Sequence, residues 1–350
     1  MAKAGRSATP RVTIKDVALR AGTSVTTVSN VLNGRTNAMT EETLRRIQDA
    51  MRDLKFRPNS VARGLVTRRT ATLGLILAEI ETPLFLQALT SMERDARQAG
   101  YSLLLCNARN EADERENLTL LLEKQVDGVV FISTSDDRND DHILEARAAG
   151  VPVVLVNRAG QHADCDQINW DNADGVTTAV RHLARLGHRR IAHLSGPADR
   201  RSTVERLQGY RAGLEASGLP FADELVRAGD YTAQADSWRK ATLELLAVAD
   251  RPTAIIASDD IVAAVVVRTV QEQGLNVPGD VAVVGIDDQP FSTYLALSTV
   301  RLPVIEAGRQ AISLLLRRLK DPTAEPEHRL LPCALVERGT CGAQRHLGVS

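Results

Sequence analysis

Residues 13–34 read Thr13-Ile14-Lys15-Asp16-Val17-Ala18-Leu19-Arg20-Ala21-Gly22-Thr23-Ser24-Val25-Thr26-Thr27-Val28-Ser29-Asn30-Val31-Leu32-Asn33-Gly34. Thr13 and Asp16 place a hydroxyl and a carboxylate three residues apart, the pattern that opens a helix by capping its first free amides. Ile14, Val17, Ala18 and Ala21 then share one face, and Gly22 supplies the residue a helix needs where its chain turns through positive φ. Ser24 caps a second helix, Val25 to Leu32, whose Val28, Val31 and Leu32 can pack back on the first. Val25, Thr26, Thr27 and Asn30 are left facing outward. Two short helices joined by about three residues, with the small Ala18 at the crossing, form a DNA-reading unit. A third helix begins at Thr40, with Glu41 and Glu42 at its positive end and Leu44, Ile47, Met51 and Leu54 directed inward. This predicts a three-helix core.

Charge agrees with that reading. Residues 1–69 carry 14 Lys and Arg against 5 Asp and Glu, whereas the rest of the 350-residue chain carries 29 against 39. A head of net +9 on a body of net −10 suits a polyanion at the head and another task in the body. The four cysteines, Cys106, Cys165, Cys333 and Cys341, lie far apart without CxxC spacing, so neither a zinc cluster nor a disulfide framework is expected and a reducing cytoplasm fits. The longest apolar run, Ile261 to Val267, falls far short of a spanning helix. No apolar segment follows the basic N-terminus, which argues against a secretory signal.

Arg57-Pro58-Asn59-Ser60-Val61-Ala62-Arg63-Gly64-Leu65 follows the third helix. A proline stop and one or two helical turns weakened by Gly64 predict a segment that orders only against a partner, or a simple flexible linker. From Thr72 onward short β-branched runs alternate with helical stretches. Strands are predicted at 73–78, 102–106, 128–132, 153–156, 190–194, 253–257 and 281–285. Helices are predicted at 84–99, 117–125, 173–186, 203–217, 237–249, 261–273 and 304–319. Such alternation implies parallel sheets covered on both faces, with ligands at the carboxyl ends of the strands or between two lobes.

The run at residues 13–34 together with EETLRRIQDAMRDLKFRPNSVARGL at 41–65 resembles the headpiece and hinge of the lactose-repressor (LacI/GalR) family of bacterial transcription regulators. The resemblance extends through Asp171-Asn172, Gly187-His188, Arg206-Leu207-Gln208-Gly209-Tyr210, Ser258-Asp259-Asp260, Val277-Pro278 and Val284-Gly285-Ile286-Asp287-Asp288. It implies a helix-turn-helix headpiece on a two-lobed α/β core like that of periplasmic binding proteins. The expected division is a headpiece at 1–57, a hinge helix and linker at 58–70, one lobe at 71–159 with 292–320, a second lobe at 160–291 with 321–338, and a tail at 339–350.

The resemblance places Val25, Thr26 and Asn30 on base edges and Thr27, Ser29 and Asn33 mostly on phosphates, with Ile14 and Ser24 in the same DNA-binding set. Leu65 would wedge into the minor groove with Ala62 beside it. Many members carry Arg where this chain has Asn30, so adenine rather than guanine is expected opposite that position.

Candidate effector residues come from strand ends and from the motif matches together. Asn157 and Asp260 follow strands and Arg206 lies near them, polar groups able to hold hydroxyls bidentately, while Leu84, Phe85 and Tyr231 supply walls. The competing reading is an Arg206–Asp260 salt bridge and a core Phe85. Asp259 replaces an Asn common in the family, favouring polyols or amines, or merely facing solvent.

An enzyme is disfavoured: GxGxxG after the first strand, GxxxxGK[ST], GxSxG and HExxH are all lacking, and His182 and His188 suit neither a zinc face nor a relay. Asp171, Asn172 and Asp174 beside Gly175 suit a helix N-cap better than a calcium loop. No cofactor and no metal site is expected. The reading is a homodimeric, cytoplasmic, nucleoid-associated repressor with a pseudo-palindromic operator and a carbohydrate effector. A solute-binding protein is the alternative.

Overall fold

A computed structural model describes residues 12–32, 35–36, 39–56, 69–77, 80, 83–132, 141–158, 164–198, 200–231 and 234–342. The chain divides into two compact units, Met1–Thr70 and Ala71–Ser350. In the first, helices α1 (Ile14–Ala21), α2 (Val25–Leu32) and α3 (Glu41–Asp53) bury Val17, Ala18, Ala21, Val28, Ile47 and Ala50. The predicted start and stop signals operate locally. The Asp16 carboxylate accepts from the Thr13 amide at 2.7 Å, and Gly22 turns at φ 62°. Ser24 Oγ accepts from the Thr27 amide at 3.1 Å, and Thr40 Oγ1 accepts from the Thr43 amide at 3.3 Å.

The second unit holds two six-stranded sheets. The strands in chain order are β1 (Thr72–Leu77), β2 (Ser102–Asn107), β3 (Gly128–Ile132), β4 (Val153–Val156), β5 (Asp166–Trp170), β6 (Ile191–Ser195), β7 (Val226–Ala228), β8 (Ala254–Ala257), β9 (Ala282–Asp287), β10 (Ser298–Arg301), β11 (His328–Leu331) and β12 (Ala334–Val336). The first sheet runs β11-β5-β4-β3-β1-β2 and is parallel throughout; the second runs β12-β10-β9-β8-β6-β7, with β12 antiparallel to β10. Helices α4 (Pro83–Gln98), α5 (Glu111–Glu123), α6 (Asp141–Ala148), α7 (Asn172–Arg185), α8 (Arg201–Ala216), α9 (Gln234–Leu246), α10 (Asp260–Glu272), α11 (Pro290–Tyr294) and α12 (Val304–Lys320) accompany them. Leu73, Leu75 and Leu77 of β1 enter one apolar cluster while Ile76 enters another, because a strand covered on both faces directs alternate side chains to opposite layers.

The seven predicted strands and seven predicted helices all form, within a few residues at most ends. Five strands were not foreseen: β5, β7, β10, β11 and β12. Their placement alters the expected lobes. β5 and β11, which the resemblance placed in 160–291 and 321–338 of the second lobe, pair in the first sheet, and β10, which it placed in the first lobe, pairs with β9 in the second.

Charge neutralisation explains why so polar a strand as β5 is buried. Asp166, with no exposed surface, accepts from Arg317 Nη2 and the Glu327 amide on one oxygen at 2.9 Å each, and from Arg318 Nη2 at 2.9 Å and Nε at 3.1 Å on the other. Both arginines come from α12, which packs on α4 and on β3 to β5. The chain therefore passes between sheets after β5, after β10 and after β11. Two of those passages are tied where the Asp171 amide donates to Leu331 O at 3.0 Å.

Candidate functional site

Two surfaces carry the candidate residues. In the headpiece α2 turns Val28 inward, with Val31 and Leu32 packed against the same core. Val25 and Thr26 are exposed, and Thr27, Ser29 and Asn30 half-buried. Within Val25–Leu32 the helix carries no charged side chain, only methyls, hydroxyls and one amide. Such a face can meet thymine methyls and an adenine edge but has no guanidinium for guanine. Ile14, placed in the DNA-binding set by resemblance, instead lays its side chain against the headpiece core. Ser24 is occupied in capping α2. Asn33, Ala62 and Leu65 lie outside the described residues.

In the larger unit the focus is Arg206, in the second turn of α8 and buried. Its Nη1 donates to Ser258 O at the end of β8 and its Nε to Asn172 Oδ1 at 3.3 Å, while Nη2 stands 4.0 Å from Asp287 Oδ1 at the end of β9. Asn172, just past the end of β5, is itself aimed, since its Nδ2 donates to Glu205 Oε2 at 2.8 Å. The carboxyl ends of β5, β8 and β9 thus converge on one guanidinium fork.

Asp260, expected to meet an effector, is instead tied into the second lobe. It is wholly buried; Oδ2 accepts from the Gln289 amide at 2.8 Å and Ser292 Oγ at 2.5 Å, and Oδ1 from Thr299 Oγ1 at 2.5 Å. Gly285 of β9 passes over it, where any side chain would strike Asp260 Oδ1. Nor does Arg206 form the alternative salt bridge with Asp260, because its ion-pair partner is Asp287. Burial pushes the Asp260 carboxyl up to about 6, opposed by the hydrogen bonds from Ser292, Thr299 and Gln289. The folded state holds that proton more tightly than an unfolded chain at the ordinary 3.8, so this group favours folding at acid pH and loses the contribution as pH rises through 6.

Asp259 and Asp287 are the carboxylates that face Arg206; the sequence reading raised Asp259 as favouring polyols or amines, or merely facing solvent, but placed neither in the effector set. Asp259 caps α10, its Oδ1 accepting from the Val262 amide at 2.8 Å. Burial raises its pKa, while that amide, Arg206 and the Tyr231 hydroxyl oppose the rise. Burial likewise raises Asp287 well above the ordinary carboxylate range, countered first by Arg206. Asp287 and Asp288 sit at φ 119° and 57°, a backbone cost of order 1–3 kcal/mol each that the fold sustains at the tip of β9. Asp287 ends β9 and Asp288 follows it, and the strand-end rule applied to β9 as to β8 would have found them. Asp288 is compensated by Arg301 Nε at 2.7 Å and Arg338 Nη2 at 2.6 Å.

A cavity of about 470 Å³ opens beside this floor, lined by Gln87 of α4, by Asp287 and Asp288, and by the passage from Arg301 to Glu306. It lies between the lobes, since α4 packs on the first sheet and Asp287 ends a strand of the second.

The other expected residues divide. Leu84 and Phe85 are each 4 % exposed and belong to the main apolar core with Leu302 and Val304, so core packing accounts for them. Asn157 follows β4 at φ 51°, its amide donating to Ile168 O at 2.8 Å. Tyr231 lies between Arg200, 4.8 Å from its ring, and Trp238, 5.1 Å away. Both protein neighbours occupy the ring, so it is less a stacking wall than a rigid hydroxyl donor beside Asp259. Beneath the floor His193 Nδ1 donates to Ile256 O at 3.1 Å, and burial pushes this histidine down to about 4, leaving it neutral. Asp171 accepts from the Asp174 amide at 2.8 Å as the expected N-cap. Among the described residues no group of three or more His, Cys, Asp and Glu side chains is placed to hold a metal ion, and no helix is long and apolar enough to cross a membrane.

Comparison with known proteins joins the two surfaces. Residues 13–59 match the bacterial regulatory proteins, lacI family, and residues 180–341 match the periplasmic binding protein-like domain. The HTH-type transcriptional repressor PurR of Photobacterium profundum is 34 % identical over 316 residues, covering 89 % of this chain and 93 % of that protein. The ribose operon repressor of Escherichia coli is 33 % identical over 333 residues, 94 % of this chain and 99 % of that one. Among solved structures, the lac repressor dimer bound to operator and the anti-inducer ONPF has a TM-score of 0.81 at 28 % identity, covering 95 % of this chain and 99 % of that one. The transcriptional regulator CelR–cellobiose complex has a TM-score of 0.70 at 31 % identity, covering 94 % and 100 %. These relatives are transcriptional regulators rather than enzymes. With a helix-turn-helix at one end, two doubly wound sheets at the other, and similarity along nearly the whole length, the chain belongs to the lacI family of DNA-binding bacterial transcription regulators.

Proposed function

We propose that this chain is a repressor that binds a pseudo-palindromic operator as a homodimer and changes its grip when a carbohydrate or related polyol enters the interlobe cleft. The observation that carries the reading is Arg206, a buried fork held by Asn172 and Ser258 O against Asp287, beside a cavity of small-molecule size. Charged, preorientated groups of this kind bind adjacent hydroxyls. Relatives whose names specify ribose and cellobiose support the class. The effector residues are then Arg206, Asp259 and Asp287, with Asn172 orienting the fork and Asn157 and Tyr231 at the margins.

A single headpiece reads few bases, so two related by a two-fold axis are needed for useful specificity. Val25, Thr26 and Asn30 read bases and Thr27, Ser29 and Asn33 hold phosphates. Residues 58–70 form a hinge that orders on DNA, with Leu65 wedged in the minor groove beside Ala62. Because such a short helix is marginal alone, a coupling of about 1–3 kcal/mol from the cleft decides occupancy. The chain performs no catalysis and works in the cytoplasm, where its operator is.

The test is selection of genomic fragments on the full-length protein, followed by anisotropy titrations with sugars, polyols and purines. A two-fold site bound with steep salt dependence and shifted by one of these ligands is expected; no preference over scrambled duplex, with or without ligands, refutes the reading. Within that site, Asn30→Arg is expected to exchange an adenine preference for guanine at one position of each half-site. The change is about 1–3 kcal/mol, roughly 5- to 150-fold, read by titrating single-base operator variants.

A further inference from the structure

We propose that the effector cleft rejects anions: its ligand is a neutral or amine-bearing polyol, while sugar phosphates and sugar acids are excluded. The proposal rests on the regulatory reading above and concerns the charge class of the molecule that reads the cleft. The buried Asp287, 4.0 Å from Arg206 Nη2, and the half-buried Asp259 both draw on the single guanidinium of Arg206. Asp288 is already paired with Arg301 and Arg338, and Asp260 is already satisfied by Gln289, Ser292 and Thr299.

The hydrogen-bond inventory points the same way. Arg206 donates through Nε and Nη1 to Asn172 and Ser258 O, so part of its fork is committed to the protein. Gln289, 1 % exposed, gives its side-chain N–H to Asp287 Oδ2 at 3.2 Å, and its carbonyl oxygen has no donor among the described residues. The cavity of about 470 Å³ is lined by three acidic side chains, Asp287, Asp288 and Glu306, against the single arginine Arg301 and the Gln87 amide, and the Asp287 that lines it is held by Gln289, whose carbonyl is unpaired among the described residues. A hydroxyl can donate as well as accept, and an ammonium donates three times. An ionised phosphate or carboxylate mainly accepts, adding lone pairs where they are already in excess and a like charge where the surroundings screen it poorly.

The experiment uses full-length protein on its operator with matched ligands: ribose and ribose 5-phosphate; glucose, glucosamine, gluconate and glucose 6-phosphate. Thermal shift and operator titration are read together. At least one neutral or amine-bearing member should act, with its phosphorylated or acidic counterpart at least about 30-fold weaker. Asp259→Asn keeps a capping side chain on α10 and should narrow that ratio by about tenfold; Asp287→Asn serves as the second variant should the first not fold. A phosphate or acid acting as well as its neutral counterpart overturns the proposal, as does a ratio unmoved by either variant, or no response to any neutral or amine-bearing member. Specific operator binding with a response to an anion sinks this inference alone, whereas absence of specific operator binding sinks the regulatory reading beneath it.

Discussion

Gly209→Ala is expected to destabilise the larger unit by about 2 kcal/mol or more, lowering its unfolding midpoint by about 5 °C. Gly209 lies on the face of α8 that meets α7. A Cβ there would fall 2.8 Å from the carbonyl carbon and from Cα of Ala173, and closer still to the carbonyl oxygen. The obstacle is backbone, which no rotamer change can relieve. One turn later a Cβ on Gly213 would come 2.6 Å from Val180 Cβ and 3.1 Å from Thr177 O. The two glycines, four residues apart on one helix face, therefore set how closely α8 lies on α7, and Thr177 Oγ1 donates to Gly209 O at 3.0 Å across the seam. Alanine is the better helix former by about 1 kcal/mol, so the sign depends on which effect is larger. An overpacking cost of about 3 kcal/mol or more against unyielding backbone outweighs that gain. Thermal and denaturant unfolding of the full chain measure it; an unchanged midpoint would show that the helices separate freely.

Arg206→Ala should abolish the effector response while leaving operator affinity within a few-fold. The headpiece core is built from its own three helices and contains nothing of α8. Two charge-assisted hydrogen bonds from a guanidinium to a ligand are worth about 3 kcal/mol together, more than 100-fold in affinity. Removing a buried charge also leaves Asp287, Asn172 and Ser258 O without their partner, so part of the effect on alanine substitution is loss of stability. Arg206→Lys separates the two effects. It retains the positive charge beside Asp287 but not the planar fork, and should fold, bind operator and respond only at much higher ligand concentration. A lysine variant with a normal response would remove Arg206 from ligand recognition.

The headpiece was legible from sequence because its signals are short-range. Thr13 with Asp16, Gly22 and Ser24 each act within about four residues, and the structure forms each contact as spacing dictates. The seven apolar strands were legible for a related reason, since a strand buried on both faces must be written as a continuous β-branched run. β5 was not, because Asp166-Gln167-Ile168-Asn169-Trp170 becomes a core strand only once Arg317 and Arg318, about 150 residues later, neutralise Asp166. Without β5 and β11 the lobe boundaries could not be drawn correctly.

The cleft marks the same limit more sharply. Sequence singled out Ser258-Asp259-Asp260 and Arg206, yet of the two adjacent aspartates it chose Asp260 for the ligand, the one the structure ties into the protein. Consecutive residues at a helix start point in different directions, and only the packing of β9 and α11 around the first turn of α10 encloses Asp260 and leaves Asp259 toward Arg206. What the sequence settled alone was the kind of protein, a basic three-helix reader joined to an acidic pair of parallel sheets, because capping, periodicity and charge are properties of neighbours along the chain. Which carboxylates line the cleft, and which strands belong to which lobe, were decided by tertiary structure, because burial of a charge depends on partners that only folding brings near.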